Sequence, residues 1–164
     1  MSNTRKNHIL FMIFSLLNLF VFLQFMGFFP SSPKEHYEYK GPVTSDVISD
    51  IEQLSPMTKE LALEFLARCE AEGLPVQITE TYRTQERQNA LYEQGRSLPG
   101  PIVTWTKNSK HTQGLAFDIC KAGGHPYGDD DFFRRCAEIG REVGLSPGYF
   151  WEKNPDKPHY QYNP

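Results

Sequence analysis

Between Ile9 and Phe29 the chain runs for 21 residues without a charge, ILFMIFSLLNLFVFLQFMGFF. At about 1.5 Å per helical residue this gives roughly 30 Å, the thickness of a bilayer's hydrocarbon core. Arg5 and Lys6 precede the run, and Glu35 and Glu38 follow it. The cations in front predict a cytoplasmic N-terminus at 1–8, a transmembrane signal-anchor at 9–29, and everything later outside the cytoplasmic membrane, on the periplasmic or cell-wall side. The competing reading is a cleavable signal peptide with a secreted product. Signal peptides have a shorter apolar core and end in small residues, whereas the flank here is MGFFPSSP. The rest of the 164 residues suffices for one domain. Residues 30–43, mixing prolines, serines and charges without a period, read as a linker, leaving the domain at 44–164.

A formal net charge of −3 gives no basic footprint for neutralising phosphates, which argues against a nucleic-acid partner. Oligomeric state leaves no trace in the sequence. The three cysteines, Cys69, Cys120 and Cys136, form no C-x-x-C pair. Two readings stay open: a bridge between Cys120 and Cys136 in an oxidising compartment, or three small buried hydrophobes.

Along the domain, Ser45 can cap a short helix through about Gln53. Ser55, with Pro56 at the first helical position, starts a second helix with an apolar stripe of Leu61, Phe65 and Leu66, ended by Gly73. VQITETYR (76–83) alternates like a half-buried strand, and a helix follows from Thr84 to about Gln94. Residues 96–110 have no sustained period and read as a long surface loop, a candidate lid carrying Trp105. LAFDI (115–119) alternates again, turning Leu115, Phe117 and Ile119 to one face and Asp118 to the other. A glycine-rich turn, a helix over about 131–143 and a final extended aromatic segment complete a small α+β domain.

The chemistry-bearing residues lie in two stretches, HTQGLAFD with His111 and Asp118, and DKPHYQ with Asp156 and His159. Hydrolytic zinc takes three protein ligands from His, Asp, Glu and Cys, and leaves a fourth position for water. His111, Asp118 and His159 would supply two imidazoles and a carboxylate. Gly114 permits a tight turn between the first two, and Pro158 restricts the approach to His159. Asp156 lies three residues before His159, so a regular strand would point them apart. A turn must unite them if Asp156 is to act as general base. The plain alternative is a turn residue in N-P-D-K. Arg83 can stabilise a developing oxyanion, or simply pair with Glu80 or Glu86.

TYRTQERQNALYEQGRS, SKHTQGLAFDI and W-x4-D-K-P-H-Y-Q, in this order and spacing, resemble the L-alanyl-D-glutamate endopeptidases. These are zinc peptidases of the superfamily that includes the D-Ala-D-Ala carboxypeptidases, lysostaphin and the hedgehog signalling domain, known from phage endolysins and bacterial cell-wall hydrolases. The likeness covers about residues 45 to 162. It implies a short antiparallel sheet flanked by helices, with Zn²⁺ held by His111, Asp118 and His159. It further implies Asp156 as catalytic acid/base, Arg83 as a substrate or oxyanion contact, and Ser109 as a lining residue. One stretch departs. Where such proteins often read G-L-x-W-G-G, this chain has GLSPGYFW, with Pro147 and Tyr149 in place of the Trp and second Gly. The shape of that pocket wall does not carry over.

The expectation is a zinc-dependent peptidoglycan hydrolase that cuts the stem peptide between L-Ala and D-Glu. The alternatives are a D,D- or L,D-carboxypeptidase of the same fold, a non-catalytic wall-binding or signalling module, and a phage lysin released from the membrane.

Overall fold

The computed structural model describes residues 46–164, so the signal-anchor, the linker and the Ser45 cap lie outside the described residues. Among the described residues no helix is long and apolar enough to cross a membrane. Three α-helices, α1 (Pro56–Ala71), α2 (Gln85–Glu93) and α3 (Asp130–Glu142), accompany four strands, β1 (Val76–Glu80), β2 (Ala116–Lys121), β3 (Ser146–Pro147) and β4 (His159–Gln161). The strands form one sheet in the order β1-β2-β4-β3, every pairing antiparallel. The α+β architecture matches the expectation.

Period-2 alternation divides the sheet into two faces. Phe117, Ile119 and Tyr160 point into the core, where α1 supplies Ala62, Phe65 and Cys69 and α3 supplies Phe132, Phe133, Cys136 and Ile139. The Tyr160 ring lies 4.8 Å from Phe65 and 5.5 Å from Phe117, centroid to centroid. The alternate residues, Asp118 and His159, project from the other face. The buried stripe of α1 runs through Thr58, Ala62, Phe65 and Cys69, with Leu61 and Leu66 on its flanks. Thr84 caps α2 by accepting from the Arg87 N–H, and Asp129 caps α3 by accepting from Phe132.

Two expectations need correction. The segment before Gln53 forms only a 3-10 turn, Ile51–Gln53, capped by Asp50. The Thr81 N–H and hydroxyl donate to the Ile48 carbonyl, which an α-helix would offer to Glu52, and the Glu52 N–H donates instead to Asp50 Oδ1. The Asp50 carbonyl accepts from both the Thr81 hydroxyl and the Gln53 N–H. The last segment, expected to be extended apart from a turn near Asp156, breaks already after β3 into a 3-10 turn (Gly148–Phe150) and returns to the sheet only at β4. The Gly148 carbonyl accepts from both Trp151 and Asp156, folding the chain back on itself.

The cysteines are free and buried, so the bridge between Cys120 and Cys136 is not formed. Cys136, on α3, is hydrogen-bonded to Cys69 on α1, and this bond and burial together raise its thiol pKa.

Candidate metal centre

His111 sits in a 3-10 turn, Lys110–Gln113, that closes on Gly114 at φ +65°. This is the left-handed region where glycine lacks the Cβ clash, so the chain can enter β2 and place Asp118 beside the His111 ring. Asp118 in turn pairs with His159 of β4 across the antiparallel ladder. Loop, central strand and returning strand therefore converge on one point.

The three donor atoms form a nearly equilateral triangle. His111 Nε2 lies 3.2 Å from Asp118 Oδ1, His159 Nδ1 lies 3.2 Å from the same oxygen, and the two nitrogens are 3.2 Å apart. Ligand atoms about 2.0–2.1 Å from a tetrahedral zinc ion stand roughly 3.3 Å from one another. The triangle has the size such an ion requires.

Hydrogen bonds behind the rings assign the tautomers. His111 Nδ1–H donates to the Thr81 carbonyl at 2.7 Å, and His159 Nε2–H donates to Gln161 Oε1 at 3.1 Å. Each ring thus turns an unprotonated nitrogen toward the centre. Two nitrogen lone pairs and a carboxylate oxygen facing one another repel unless a cation lies among them, so the donor chemistry fits Zn²⁺. Burial works against the Asp118 charge, but His111 and His159 outweigh it and hold its pKa well below the usual carboxylate range. His159 shows the complement: burial lowers its pKa, and Asp118 and then Asp156 raise it overall. The Asp118 side chain is 20% exposed against 2% for His111 and 8% for His159, so the site opens to solvent on the carboxylate's side.

Asp156 reaches this site by the turn that the sequence requires. The His159 N–H donates to the Asp156 carbonyl at 3.1 Å, closing a turn over 156–159. The Asp156 side chain lies at the exposed rim. Partial desolvation of its carboxyl, followed by the like charge of Asp118, raises its pKa against the opposing pull of His159, His111 and Arg83. Gly148 makes room for the turn. A Cβ there would run into the Asp156 carbonyl oxygen and stand 3.1 Å and 3.2 Å from the Cβ atoms of Asp156 and His159.

Arg83 is buried beside the triangle, its Nη2 3.6 Å from Asp118 Oδ2. Nε donates to Glu80 Oε1 at 3.0 Å, Nη2 donates to Glu80 Oε2, and Nη1 donates to Gln88 Oε1 at 2.7 Å. Of its five N–H donors, one on Nη1 and one on Nη2 remain beyond these three bonds. The Glu80 pair foreseen as an alternative role therefore coexists with a place at the site. Ser109 is buried and caps the His111 turn, its Oγ accepting from the His111 N–H at 3.3 Å.

Three supporting residues, Gln88, Thr81 and Gln161, have no role that the sequence announces. Of these only Gln161 carries a readable signal, because its position two residues after His159 puts both on one side of a strand. In the departing stretch, the Tyr149 hydroxyl donates to Asp130 Oδ2 at 3.1 Å, and the Trp151 ring packs 5.1 Å from that of His159.

Residues 51–164 match the family model of VanY, D-alanyl-D-alanine carboxypeptidase. The chain is 33% identical over 137 residues to the peptidoglycan L-alanyl-D-glutamate endopeptidase CwlK of Bacillus subtilis (strain 168), covering 75% of this chain and 77% of that protein. Among solved structures it shares its fold with the L-Ala D-Glu endopeptidase ChiX of Serratia marcescens, with a TM-score of 0.55, 22% identity, and coverage of 69% and 83% of the two chains. It also shares its fold with a variant of the vancomycin resistance D,D-pentapeptidase VanY from the VanB-type resistance cassette, solved in complex with Zn(II), with a TM-score of 0.51, 22% identity, and coverage of 74% and 81%.

Proposed function

The chain belongs to the VanY family of D-alanyl-D-alanine carboxypeptidases, and on that premise we propose that it is a zinc-dependent peptidoglycan hydrolase cutting the stem peptide between L-Ala and D-Glu. The observation that carries the chemistry is the 3.2 Å triangle of His111, Asp118 and His159, with every donor presenting a lone pair. The bond is suggested by the 33% identity to an L-alanyl-D-glutamate endopeptidase and by the D-K-P-H-Y-Q stretch.

Bound at this triangle, Zn²⁺ supplies Lewis acidity toward a carbonyl and lowers the pKa of water toward 7. The protein's own groups divide the remaining work. Asp156, at the rim with a raised pKa, accepts the proton of the attacking water and returns it to the D-Glu nitrogen as the carbon–nitrogen bond breaks. The two remaining N–H donors of Arg83 bind the L-Ala carbonyl oxygen as its charge grows. Glu80 and Gln88 hold the guanidinium so that it need not reorganise during the step. Ser109 shapes the His111 turn that lines the same cleft. The substrate lies in the wall, so this reading puts the domain outside the cytoplasmic membrane, held by the apolar run at 9–29 or secreted after its cleavage.

Product analysis on a defined muropeptide tests the assignment. Mass spectrometry should show a new amino terminus at D-Glu or D-isoglutamine. A second reading, a carboxypeptidase of the same fold, is favoured by the family's description as D-alanyl-D-alanine carboxypeptidase. Release of free terminal D-Ala with the L-Ala–D-Glu bond intact would establish that reading instead.

A further inference from the structure

The loop between α2 and the His111 turn is built inside out. Its backbone carbonyls are bonded inward by side chains from α2 and the residues just after it. Gln94 Nε2 donates to Pro101 O at 3.1 Å, Arg96 Nη2 to Thr104 O at 3.2 Å, Gln88 Nε2 to Thr106 O at 2.6 Å, and Gln85 Nε2 to Lys107 O at 2.9 Å. The apolar side chains of the same stretch, Ile102, Val103 and Trp105, face solvent together with nearby Leu98. Trp105 is the most exposed of them at 62%. Polar bonds supply much of this loop's docking, with the Ile102 side chain also close against Gly95. Exposed large apolar side chains gathered in one loop are a common mark of an interaction site.

Trp105 also has a cationic frame. The Arg96 guanidinium lies 3.9 Å over the Tyr92 ring and 5.8 Å from the Trp105 ring, and Lys107 Nζ lies 4.8 Å over Tyr92. Residues 96–110 contain no Asp or Glu. The loop is tied to the site through fully buried Gln88, which accepts from Arg83 at 2.7 Å and donates to the carbonyl of Thr106, the neighbour of Trp105.

We propose that Trp105 and its ridge form the binding surface for the glycan strand of peptidoglycan, with Trp105 the main saccharide contact. The inference rests on the proposed cleavage between L-Ala and D-Glu. In peptidoglycan the L-Ala nitrogen is acylated by the lactyl group of muramic acid, so a single residue, about 3.5 Å of chain, separates that group from the scissile bond. A sugar ring must then lie against one wall of the cleft. Its C–H face is apolar and polarised positive, which suits the electron-rich face of an exposed indole. The lactyl carboxyl is consumed in the amide, so the ligand here is neutral. An apolar ridge free of carboxylates fits such a ligand, while the cations stay occupied with Tyr92 and with Glu93, 2.9 Å from Lys107.

Two readouts on the full-length protein test this, comparing the wild type with Trp105→Ala and Trp105→Phe. The first is kcat/KM on a disaccharide-linked stem peptide against the same peptide without sugar. The expected result is that Trp105→Ala loses about tenfold on the glycosylated substrate and stays within about twofold on the free peptide, with Trp105→Phe recovering most of the loss. Equal losses on both substrates, or no loss on either, overturn the assignment. The second is co-sedimentation with glycan strands stripped of peptides, which needs no cleavage. Wild-type binding weakened about tenfold by Trp105→Ala supports the surface, and unchanged or absent binding overturns it. A wild-type protein that binds stripped glycan but cuts neither substrate at L-Ala–D-Glu would refute the proposed reaction and leave the saccharide surface standing.

Discussion

Glu80 stands directly opposite Asp118 across the β1–β2 pairing, and the Nη2 of Arg83 lies between the two carboxylates, paired with Glu80 and 3.6 Å from Asp118. The register shifts between Ile78 and Glu80, and this bulge puts Glu80 level with the Asp118 carboxylate of the candidate metal centre. Removing Glu80 strips the buried guanidinium of its two-point carboxylate partner and leaves Asp118 as the carboxylate it can swing toward. Glu80→Ala should cost roughly 3–5 kcal/mol in chemical denaturation and weaken zinc retention. A variant with wild-type stability would show that Arg83 needs no such partner.

The same pair sets a pH dependence. Burial opposes the Glu80 charge, but hydrogen bonds and charge from Arg83, with a further bond from Arg87, outweigh it and lower the pKa below its ordinary value. A carboxylate with a lowered folded pKa contributes stability that is complete above the unfolded value, about 4.3. That contribution is lost as pH falls through the folded value. The gap in Tm between wild type and Glu80→Gln should therefore be constant near neutrality and shrink below about pH 4. A gap that persists undiminished into strong acid would contradict the assignment.

Asp156 is separable from the metal. It shares no donor with the triangle and reaches the rim through its own turn, so Asp156→Asn should keep zinc while kcat falls by roughly 10²–10⁴. Parallel metal analysis and turnover decide this. Hydrolysis at the wild-type rate would remove Asp156 from the reaction.

Gly148 lies close against both Asp156 and His159. The added methyl of Gly148→Ala must push the 156–159 turn outward, at roughly 1–3 kcal/mol in stability. Turnover should fall together with zinc affinity. Unchanged activity would mean that the turn relaxes elsewhere.

The core carries one unsatisfied group among the described residues, the buried hydroxyl of Tyr160. Unmade hydrogen bonds of this kind cost about 1–3 kcal/mol, so Tyr160→Phe should raise Tm or leave it unchanged. A marked drop in a thermal melt would reveal a partner for the hydroxyl.

The sequence showed much of this domain wherever a side chain's role is local. The bounds of α1, α2 and α3 follow from caps and glycines. The gathering of His111, Asp118 and His159 agrees with what two short stretches suggest, and a turn over 156–159 is present where a site role for Asp156 would need one. What escaped depends on contacts distant in the chain. The helix expected before Gln53 is interrupted at Ile48, whose carbonyl is bonded by Thr81, some thirty residues later. The orientation of His111 depends on the carbonyl of Thr81, and a backbone atom has no residue-type signature. The Glu80 pair with Arg83 is legible from their spacing of three, whereas Gln88 looks like an ordinary polar helix residue until the fold brings it to Arg83.

Zinc content after exhaustive dialysis, compared between the wild type and His159→Ala, tests the assignment of the triangle as a zinc site. One zinc per wild-type chain and a near-complete loss in the variant are expected, with both proteins folded by circular dichroism. A well-folded wild-type protein that takes up no zinc, or a variant that retains a full equivalent, would contradict it.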